Sequence, residues 1–198
     1  MAMNGYASLV HQRASGTTKR RKLDDYETPP DTTELLCNEL TDLTGKVLEP
    51  ACGSGRMVRA LKEFYGKAIS ITSSDIKEGK DFLKRMKTFA GHIITNPPYR
   101  DGLADAFVNH ALKLADGKVA MLMESGFLWG EKRAGALYNE VKPSHVIVIP
   151  NRVYFFAGKK PIPSQFYKHA WLVWPDRATR IKGDYETKTI WPDVRGGF

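Results

Sequence analysis

The residues best suited to chemistry are four that follow a strand-like stretch at 92–95: Asn96, Pro97, Pro98 and Tyr99. Neither proline has a backbone N–H, so the carbonyl groups of this turn are left as acceptors that can face a cavity. The Asn96 side chain adds another acceptor, and Tyr99 adds an aromatic face. Two acceptors can hold both hydrogens of an aromatic amino group, whose lone pair is otherwise delocalised into the ring. The pattern therefore predicts a site that turns such an amino group into a nucleophile.

A glycine turn lies upstream, between an apolar strand-like stretch and a helix-like one. Its sequence is Glu49-Pro50-Ala51-Cys52-Gly53-Ser54-Gly55. Glycine has no Cβ and accepts positive φ, so a ligand can approach this backbone closely. A P-loop would need Gly-Lys-Ser/Thr, and a dinucleotide fingerprint would need a third glycine near Val58; neither is present. Asp75 comes twenty residues after Gly55, where a carboxylate can accept both ribose hydroxyls of a nucleoside ligand.

These motifs resemble those of class I S-adenosylmethionine-dependent methyltransferases. The glycine turn is similar to their first motif, which passes beneath the methionine part of the cofactor, and Asp75 is similar to their ribose-binding acid. The segment 26–29, Tyr-Glu-Thr-Pro, resembles the tenth motif of DNA methyltransferases, which packs against the same cofactor. The resemblance implies S-adenosylmethionine as cofactor, held by Tyr26, Thr28, Pro29, Glu49, Pro50, Ala51, Cys52, Gly53, Gly55, Asp75, Ile76, Asp81, Phe82 and Asn96.

The segment 96–99, Asn-Pro-Pro-Tyr, resembles the fourth motif of methyltransferases that act on adenine N6, cytosine N4, guanine N2 or a glutamine amide. The resemblance implies that the Asn96 side chain and the Pro97 carbonyl hold the amino group while Tyr99 stacks on the base. The resemblance also implies that Pro98 belongs to the catalytic motif, together with Asn96, Pro97 and Tyr99. A base inside a duplex must be flipped out to reach such a pocket.

Over residues 24–175 the chain looks most similar to small phage-type DNA N6-adenine methyltransferases, including their aromatic late segments at 150–155 and 166–174. Basic residues flank aromatic ones at 152–160, which predicts a mobile loop whose Arg152, Lys159 and Lys160 bind nucleic acid. Packing of Phe155 and Phe156 in the core beneath a basic surface is an equal alternative. Methylation of RNA at adenine or guanine is the rival interpretation. Methylation of a protein glutamine and an inactive nucleic-acid-binding module are weaker alternatives.

Composition narrows the class of protein further. The 198 residues have a formal net charge of +8, which favours a polyanionic partner: DNA, or RNA as the alternative. No apolar run is long enough to span a membrane. The two cysteines, Cys37 and Cys52, are too few for a disulfide scaffold or a zinc site. We expect no metal, a monomer or weak homodimer, and the cytoplasm of a bacterium or an infected host, with nucleus or organelle left open.

The order of elements predicts an α/β, Rossmann-like methyltransferase fold with a seven-stranded, mainly parallel sheet whose last strand is antiparallel. A catalytic domain at 24–175 follows a basic flexible tail at 1–23, and a polar extension at 176–198 is assigned no element. The tail suits a phosphate-contacting arm, a nuclear localisation signal, a transit peptide or a solvated tail. The predicted helices are about 31–43, 56–65, 103–114 and 131–141, and the predicted strands 46–49, 68–72, 92–95, 119–123, 145–149 and 166–174. The stretch between Asp75 and 92 is too short for a full third motif, and no segment is long enough for a separate target-recognition domain.

Overall fold

The structure is a computed structural model that describes residues 26–151, 153–157, 160–163 and 168–192, with backbone alone for 157 and 160–163. The basic tail therefore lies outside the described residues. So do Arg152, Lys159 and the side chain of Lys160, which were predicted to bind nucleic acid.

Helices and strands alternate along the chain, as expected of an α/β protein. The helices are α1 (Pro30–Glu39), α2 (Arg56–Tyr65), α3 (Leu103–Leu114), α4 (Glu131–Arg133) and α5 (Arg177–Lys182). The strands are β1 (Gly45–Glu49), β2 (Ile69–Ser73), β3 (His92–Thr95), β4 (Val119–Glu124), β5 (His145–Val148), β6 (Tyr154–Ala157), β7 (Lys160–Pro163), β8 (His169–Trp174) and β9 (Lys188–Ile190). A π-helical turn, Ala134–Tyr138, continues α4.

The central sheet has seven strands in the order β2-β1-β3-β4-β8-β5-β9. Strand β8 is antiparallel to both of its neighbours, and the other pairs are parallel. This confirms the predicted α/β class with a seven-stranded, mainly parallel sheet; the antiparallel strand is β8, and it is followed in the chain by the parallel strand β9. Strands β6 and β7 form a separate antiparallel hairpin, where the sequence analysis predicted a mobile loop.

Both faces of the sheet are buried, so apolar residues follow one another along the strands instead of alternating with polar ones. Ala120 and Leu122 of β4 pack on the face covered by α1 and α2, whereas Met121 and Met123 pack on the face covered by α3. Trp171 of β8 is completely buried on the first face and donates its indole N–H to the carbonyl of Thr32 at 2.7 Å. The result is a three-layer arrangement that holds the strand ends in fixed positions.

Glycine and amphipathic spacing explain the helix that follows the glycine turn. Gly55 precedes α2 with φ of 83°, a left-handed conformation that favours glycine. The buried residues of α2 recur at helical spacing and form one apolar face: Met57, Ala60, Leu61 and Tyr65. The predicted bounds of this helix, 56–65, agree with the observed ones.

Three predicted elements differ from the structure. The first helix ends at Glu39 and not near Leu43, because the backbone of Leu40 leaves the helical region; Leu43 is buried beyond the helix end. The predicted helix at 131–141 is only a short α-helical turn followed by a π-helical turn. The segment that was assigned no element contains α5 and β9, and β9 pairs in parallel with β5 at the sheet edge.

The region between β2 and β3 contains two short 3-10 turns, Ile76–Glu78 and Phe82–Lys84, and no strand. This agrees with the predicted abbreviation of the third motif. Within the described residues, no helix is both long and apolar enough to cross a membrane. The same residues contain no group of three or more His, Cys, Asp or Glu side chains that could hold a metal ion.

Candidate active site

A cavity of about 270 Å³ lies at the carboxyl ends of β1, β2 and β3, where the glycine turn and the Asn-Pro-Pro-Tyr segment meet. Its lining residues are Tyr26, Glu27, Thr28, Glu49, Pro50, Ala51, Cys52, Gly53, Arg56, Met57, Asp75, Ile76, Lys77, Lys80, Asp81, Phe82, Leu83, Asn96, Pro98, Arg100, Leu103 and Phe107. Parallel strands bring their carboxyl ends to one edge of a sheet, so residues distant in sequence meet here.

Asp75 ties the glycine turn to the end of β2. Its Oδ2 accepts the N–H of Gly53 at 2.9 Å and its Oδ1 accepts the N–H of Lys77 at 2.9 Å. The side chain is largely buried, with 8% of Asp75 exposed. Each carboxylate oxygen keeps a lone pair after accepting one backbone N–H. Asp75 can therefore hold the turn and still accept hydrogen bonds from a ligand in the cavity.

Glu27 lines the cavity but was not among the predicted site residues. Its Oε1 accepts the N–H of Ser54 at 2.9 Å, and its Oε2 pairs with Arg56 Nε at 2.7 Å. Its side chain lies so close to the turn that a Cβ on Gly53, whose φ is 52°, would come within 3.3 Å of Glu27 Cγ. The available signal was its place inside the tenth-motif-like segment, one residue before Thr28.

Glu49 is a buried carboxyl group at the end of β1, with 1% of the residue exposed. Its Oε1 accepts the N–H of Ala51 at 2.9 Å and the hydroxyl of Thr95 at 2.6 Å. Burial raises the pKa of Glu49 to about 8, and the two hydrogen bonds oppose that rise. Because both donors bind the same oxygen, Oε2 is left for a group in the cavity.

The Asn96 amide is fixed by two contacts that differ in kind. Its Nδ2 donates to the carbonyl of Tyr26 at 3.0 Å, and a backbone carbonyl can only accept, so the orientation of the amide is determined. Its Oδ1 accepts from the Tyr99 hydroxyl at 2.5 Å, and the same hydroxyl lies 2.8 Å from the carbonyl of Leu122. The one proton of that hydroxyl thus lies between two acceptors. Asn96 Oδ1 has a second lone pair for a ligand.

The hairpin of β6 and β7 packs against two residues that line the cavity, Glu27 and Arg56. The backbone of Glu27 pairs with Phe156, with N–H to carbonyl distances of 3.0 and 2.9 Å. The guanidinium of Arg56 lies over the Phe156 ring, 4.0 Å from its centre. Phe155 is buried, with its ring centre 5.0 Å from that of His169, and the ring centre of Tyr99 is 5.9 Å from that of His169. The sequence analysis left the packing of these phenylalanines open.

Thirteen of the predicted residues line the cavity: Tyr26, Thr28, Glu49, Pro50, Ala51, Cys52, Gly53, Asp75, Ile76, Asp81, Phe82, Asn96 and Pro98. Four do not, namely Pro29, Gly55, Pro97 and Tyr99. Pro29 and Gly55 precede the two helices that frame the site. The cavity-lining residues that sequence reasoning missed include four cations, which are Arg56, Lys77, Lys80 and Arg100.

No protein-family model matches the sequence, and no curated protein matches it. Solved structures do match it. The methyltransferase subunit of a type I restriction-modification system from Streptococcus thermophilus superposes with a TM-score of 0.56 at 16% identity, over 96% of this chain and 53% of that one. A SAM-dependent O-methyltransferase from Thermotoga maritima superposes with a TM-score of 0.50 at 11% identity, over 74% of this chain and 65% of that one. The chain has a methyltransferase fold.

A third similar structure, TrmN from Thermus thermophilus, has a TM-score of 0.46 at 17% identity, over 74% of this chain and 48% of that one. The chain thus spans about half the length of the Streptococcus and Thermus proteins. In this methyltransferase fold β1 has β2 on one side and β3 on the other, so the chain reverses its winding direction beside β1. Open α/β sheets bind their ligands at such a switch point, and the cavity lies there, between Glu49 and Asn96.

Proposed function

We propose that the chain is an S-adenosylmethionine-dependent methyltransferase that acts on the N6 amino group of adenine in DNA. One observation carries the proposal: a single cavity is lined by Asn96, by the glycine turn and by the carboxyl groups of Glu49 and Asp75. The carboxyl groups and the turn suit a cationic nucleoside cofactor. Asn96 suits an aromatic amino group. A methyl transfer needs both ligands in one cavity.

The cofactor is held by the buried carboxyl groups. Asp75 accepts the two ribose hydroxyls with the lone pairs that the N–H groups of Gly53 and Lys77 leave unused. Glu49 Oε2 accepts a hydrogen bond from the ammonium group of the cofactor. A positive charge beside Glu49 favours its ionised form, so cofactor binding lowers the raised pKa of this group and releases its proton.

The adenine amino group is held by Asn96 Oδ1, which lines the cavity, and the proposed second acceptor is the carbonyl of Pro97, which lies outside the cavity lining between Asn96 and Pro98. Two acceptors draw its hydrogens out of the ring plane and localise the lone pair on nitrogen. Bound S-adenosylmethionine would supply the methyl group on its sulfonium, and attack by the amino nitrogen would form the N–C bond as the S–C bond breaks, with S-adenosylhomocysteine as the leaving group. The methylated nitrogen would then lose its extra proton to water. Positioning and preorganised dipoles supply the rate enhancement, because the methyl donor is already strongly electrophilic.

DNA is favoured as substrate by charge and by motif. The chain carries a formal net charge of +8, and Lys77, Lys80 and Arg100 line the cavity. The cofactor is not an anion, so these cations suit the phosphates of a nucleic acid better than the cofactor. The Asn-Pro-Pro-Tyr sequence at 96–99 is typical of adenine N6 or a glutamine amide as the methyl acceptor, and the positive charge favours adenine. An adenine flipped out of duplex DNA fits the net charge of the chain, the cations that line the cavity and the Asn-Pro-Pro-Tyr motif.

The test is methyl transfer from labelled S-adenosylmethionine to duplex DNA, single-stranded DNA, RNA and protein extract, followed by mass spectrometry of the nucleosides. We expect N6-methyladenine in DNA. The variant Asn96→Ala should lose at least about 100-fold in rate, since it removes a preorganised hydrogen-bonding group, and should retain cofactor binding. The control Asn38→Ala, on the exposed face of α1, should match the wild type. A fully active Asn96→Ala protein would overturn the site, and label confined to RNA or protein would overturn the substrate.

A further inference from the structure

Trp129 is an unusually exposed aromatic residue on a well-anchored backbone. Its exposed fraction is 72%, although tryptophan is normally among the more buried residues. Its backbone N–H donates to the carbonyl of Gly126 at 3.2 Å, and its backbone carbonyl accepts from Arg133 Nη1 at 3.2 Å. Gly130 follows with φ of 123°, a conformation that a residue with a side chain rarely adopts. The fixed backbone therefore holds the indole out toward solvent.

Arg133 anchors this segment to the helix that begins after the Asn-Pro-Pro-Tyr turn. Its guanidinium makes two hydrogen bonds to Asp105 of α3, at 2.6 and 2.8 Å, in the bidentate geometry that is strong and specific. The same guanidinium lies over the Phe127 ring at 4.3 Å from its centre. Tyr138 donates its hydroxyl to the Phe127 carbonyl at 2.8 Å. These contacts define a rigid platform beneath Trp129.

The platform lies on the cavity side of the sheet. It follows the carboxyl end of β4, the strand that pairs with β3, and the cavity is at the carboxyl end of β3. Asp105 stands two residues after Leu103, which lines the cavity in the first turn of α3. Phe127 belongs to the same buried cluster as Phe82 and Phe107, which also line the cavity. Trp129 therefore lies at the same edge of the sheet as the cavity, after the strand next to β3.

The charged residues that follow Trp129 in the sequence balance one another. Arg133 is paired with Asp105, and the exposed Glu131 and Lys132 carry opposite charges. Such a surface does not attract phosphate in particular. An exposed indole with balanced charges suits a flat, uncharged ring, and every nucleobase presents one.

We propose that Trp129 stacks on a nucleobase that neighbours the flipped adenine. This inference rests on the proposed function, because it requires a nucleic-acid substrate. Flipping a base removes stacking from its neighbours, and a rigid aromatic ring at the cavity side restores part of that stacking. Trp129 then acts on substrate affinity and makes no contact with the cofactor.

The test compares Trp129→Ala, Trp129→Phe and Trp191→Ala. Trp191 is a matched control because it is 73% exposed and follows β9 at the far edge of the sheet. The readouts are the Kd for an adenine-containing duplex, the Kd for S-adenosylmethionine and the melting temperature. We expect the DNA Kd of Trp129→Ala to rise about tenfold, the size typical of one lost stacking contact. Trp129→Phe should recover most of the affinity, and Trp191→Ala should bind DNA like the wild type.

The outcomes separate this inference from the proposed function. An unchanged DNA Kd in Trp129→Ala, with wild-type methylation of DNA intact, would overturn the role of Trp129 alone. A loss of affinity for a protein substrate in place of DNA would also overturn it. A wild-type protein that neither binds nor methylates nucleic acid would overturn the proposed function together with this inference. Cofactor affinity should be the same in all four proteins.

Discussion

Buried polar groups are paired differently at the two ends of the central sheet. At the amino ends of the parallel strands, Arg180 is 7% exposed and donates to the carbonyls of Leu112, Ala115, Gly117 and Pro175. Buried polar groups are normally satisfied in this way. That end of the sheet is thereby closed by contacts within the chain.

His92 closes the same end with a defined tautomer. Its Nδ1 accepts the N–H of Lys118 at 2.9 Å, so the ring proton sits on Nε2, which donates to the carbonyl of Thr44 at 3.0 Å. Burial lowers the pKa of His92, consistent with a neutral ring. The amino end therefore has its polar groups fixed by one another.

At the carboxyl ends, polar groups border a cavity instead. Glu49 is buried with both of its donors on one oxygen, and Asp75 holds two backbone N–H groups while lining the same space. Burial of a carboxyl group that is incompletely paired costs stability. The comparison indicates that the amino end stabilises the fold, whereas the carboxyl end retains polar groups at some cost in stability because ligands need them.

The largest expected effect is at the amino end. Arg180→Met keeps the aliphatic stem and removes the donors to four buried or half-buried carbonyls. Each buried group left without a partner costs about 1–3 kcal/mol, so we expect a loss of at least about 3 kcal/mol in the free energy of unfolding. For a chain of this size the Tm should fall by at least about 6 °C. Urea and thermal unfolding measure both quantities.

Lys182→Ala is the control for Arg180→Met, because Lys182 is exposed on the same helix, α5. It should change the urea midpoint little. If Arg180→Met unfolded at the wild-type midpoint, the amino end would not be the stabilising end, and the comparison would fail.

Much of the fold could be predicted because local residues set the element bounds. The bounds of β3 and α3 agree with the predicted 92–95 and 103–114. Both are marked by residues with strong backbone preferences: the prolines of the Asn-Pro-Pro-Tyr turn end β3, and Gly102, with φ of 74°, precedes α3. The glycine turn and Asp75 were found for the same reason, since their spacing is local.

The remaining features depend on contacts that sequence spacing does not reveal. β9 is three residues long and mostly polar, and it exists because β5 offers it an unpaired edge. Arg180 belongs to the same segment that was assigned no structure, and its role depends on carbonyls more than sixty residues earlier. Glu27 and Arg56 meet only when the tenth-motif-like segment folds over the glycine turn. Tertiary packing decides each of these.

The second prediction concerns the pH dependence that Glu49 imposes. Its pKa is raised to about 8 from an ordinary value of 4.5. Between these pH values the folded protein keeps the proton that the unfolded chain has lost. The protonated Glu49 therefore contributes to the free energy of unfolding in full below pH 4.5. This contribution is lost as the pH rises through about 8, by up to about 1.4 kcal/mol per pH unit. Glu49→Gln should remove this dependence and be more stable than the wild type at pH 9.

Unfolding by urea at several pH values between 5 and about 9 measures this slope. Glu63→Gln, at an exposed position of α2, is the control and should keep the wild-type slope. Glu49→Gln should also bind S-adenosylmethionine more weakly, because the ammonium loses its ionic partner. If Glu49→Gln kept the wild-type pH dependence of the free energy of unfolding, burial of the Glu49 carboxylate would not lower the stability of the carboxyl end.

The third prediction separates binding from stability at Asp75. Asp75→Asn keeps the shape and loses the charge, and charge-assisted hydrogen bonds contribute about 1.5–3 kcal/mol. We expect the affinity for S-adenosylmethionine to fall about 10- to 100-fold, measured by calorimetry. The loss of stability should be smaller than in Arg180→Met. Asp42→Asn, at an exposed turn before β1, should leave both quantities unchanged; a drop in stability without a drop in affinity would make Asp75 a purely structural residue.

The smallest expected effect is at the Tyr99 hydroxyl. This hydroxyl contacts both a residue of the cavity, Asn96, and a backbone carbonyl of the core, that of Leu122. Tyr99→Phe keeps the ring against His169 but removes the proton that lies between Asn96 Oδ1 and the carbonyl of Leu122. Asn96 then loses the contact that fixes its acceptor oxygen, and its Nδ2 bond to Tyr26 remains. We expect kcat to fall about tenfold, in line with one neutral hydrogen bond, with KM nearly unchanged.

Tyr65→Phe provides the matched control for this hydroxyl. Tyr65 also donates to a backbone carbonyl, that of Leu40 at 2.9 Å, but it does so between α1 and α2, away from the cavity. It should lower stability slightly and leave kcat at the wild-type value. If both variants lost stability and neither lost kcat, the Tyr99 hydroxyl would only stabilise the fold, as the polar contacts at the amino end do. If Tyr99→Phe alone lost kcat, with its Tm preserved, then a hydroxyl in contact with the protein core would be shown to serve the reacting group, because it acts through the orientation of Asn96.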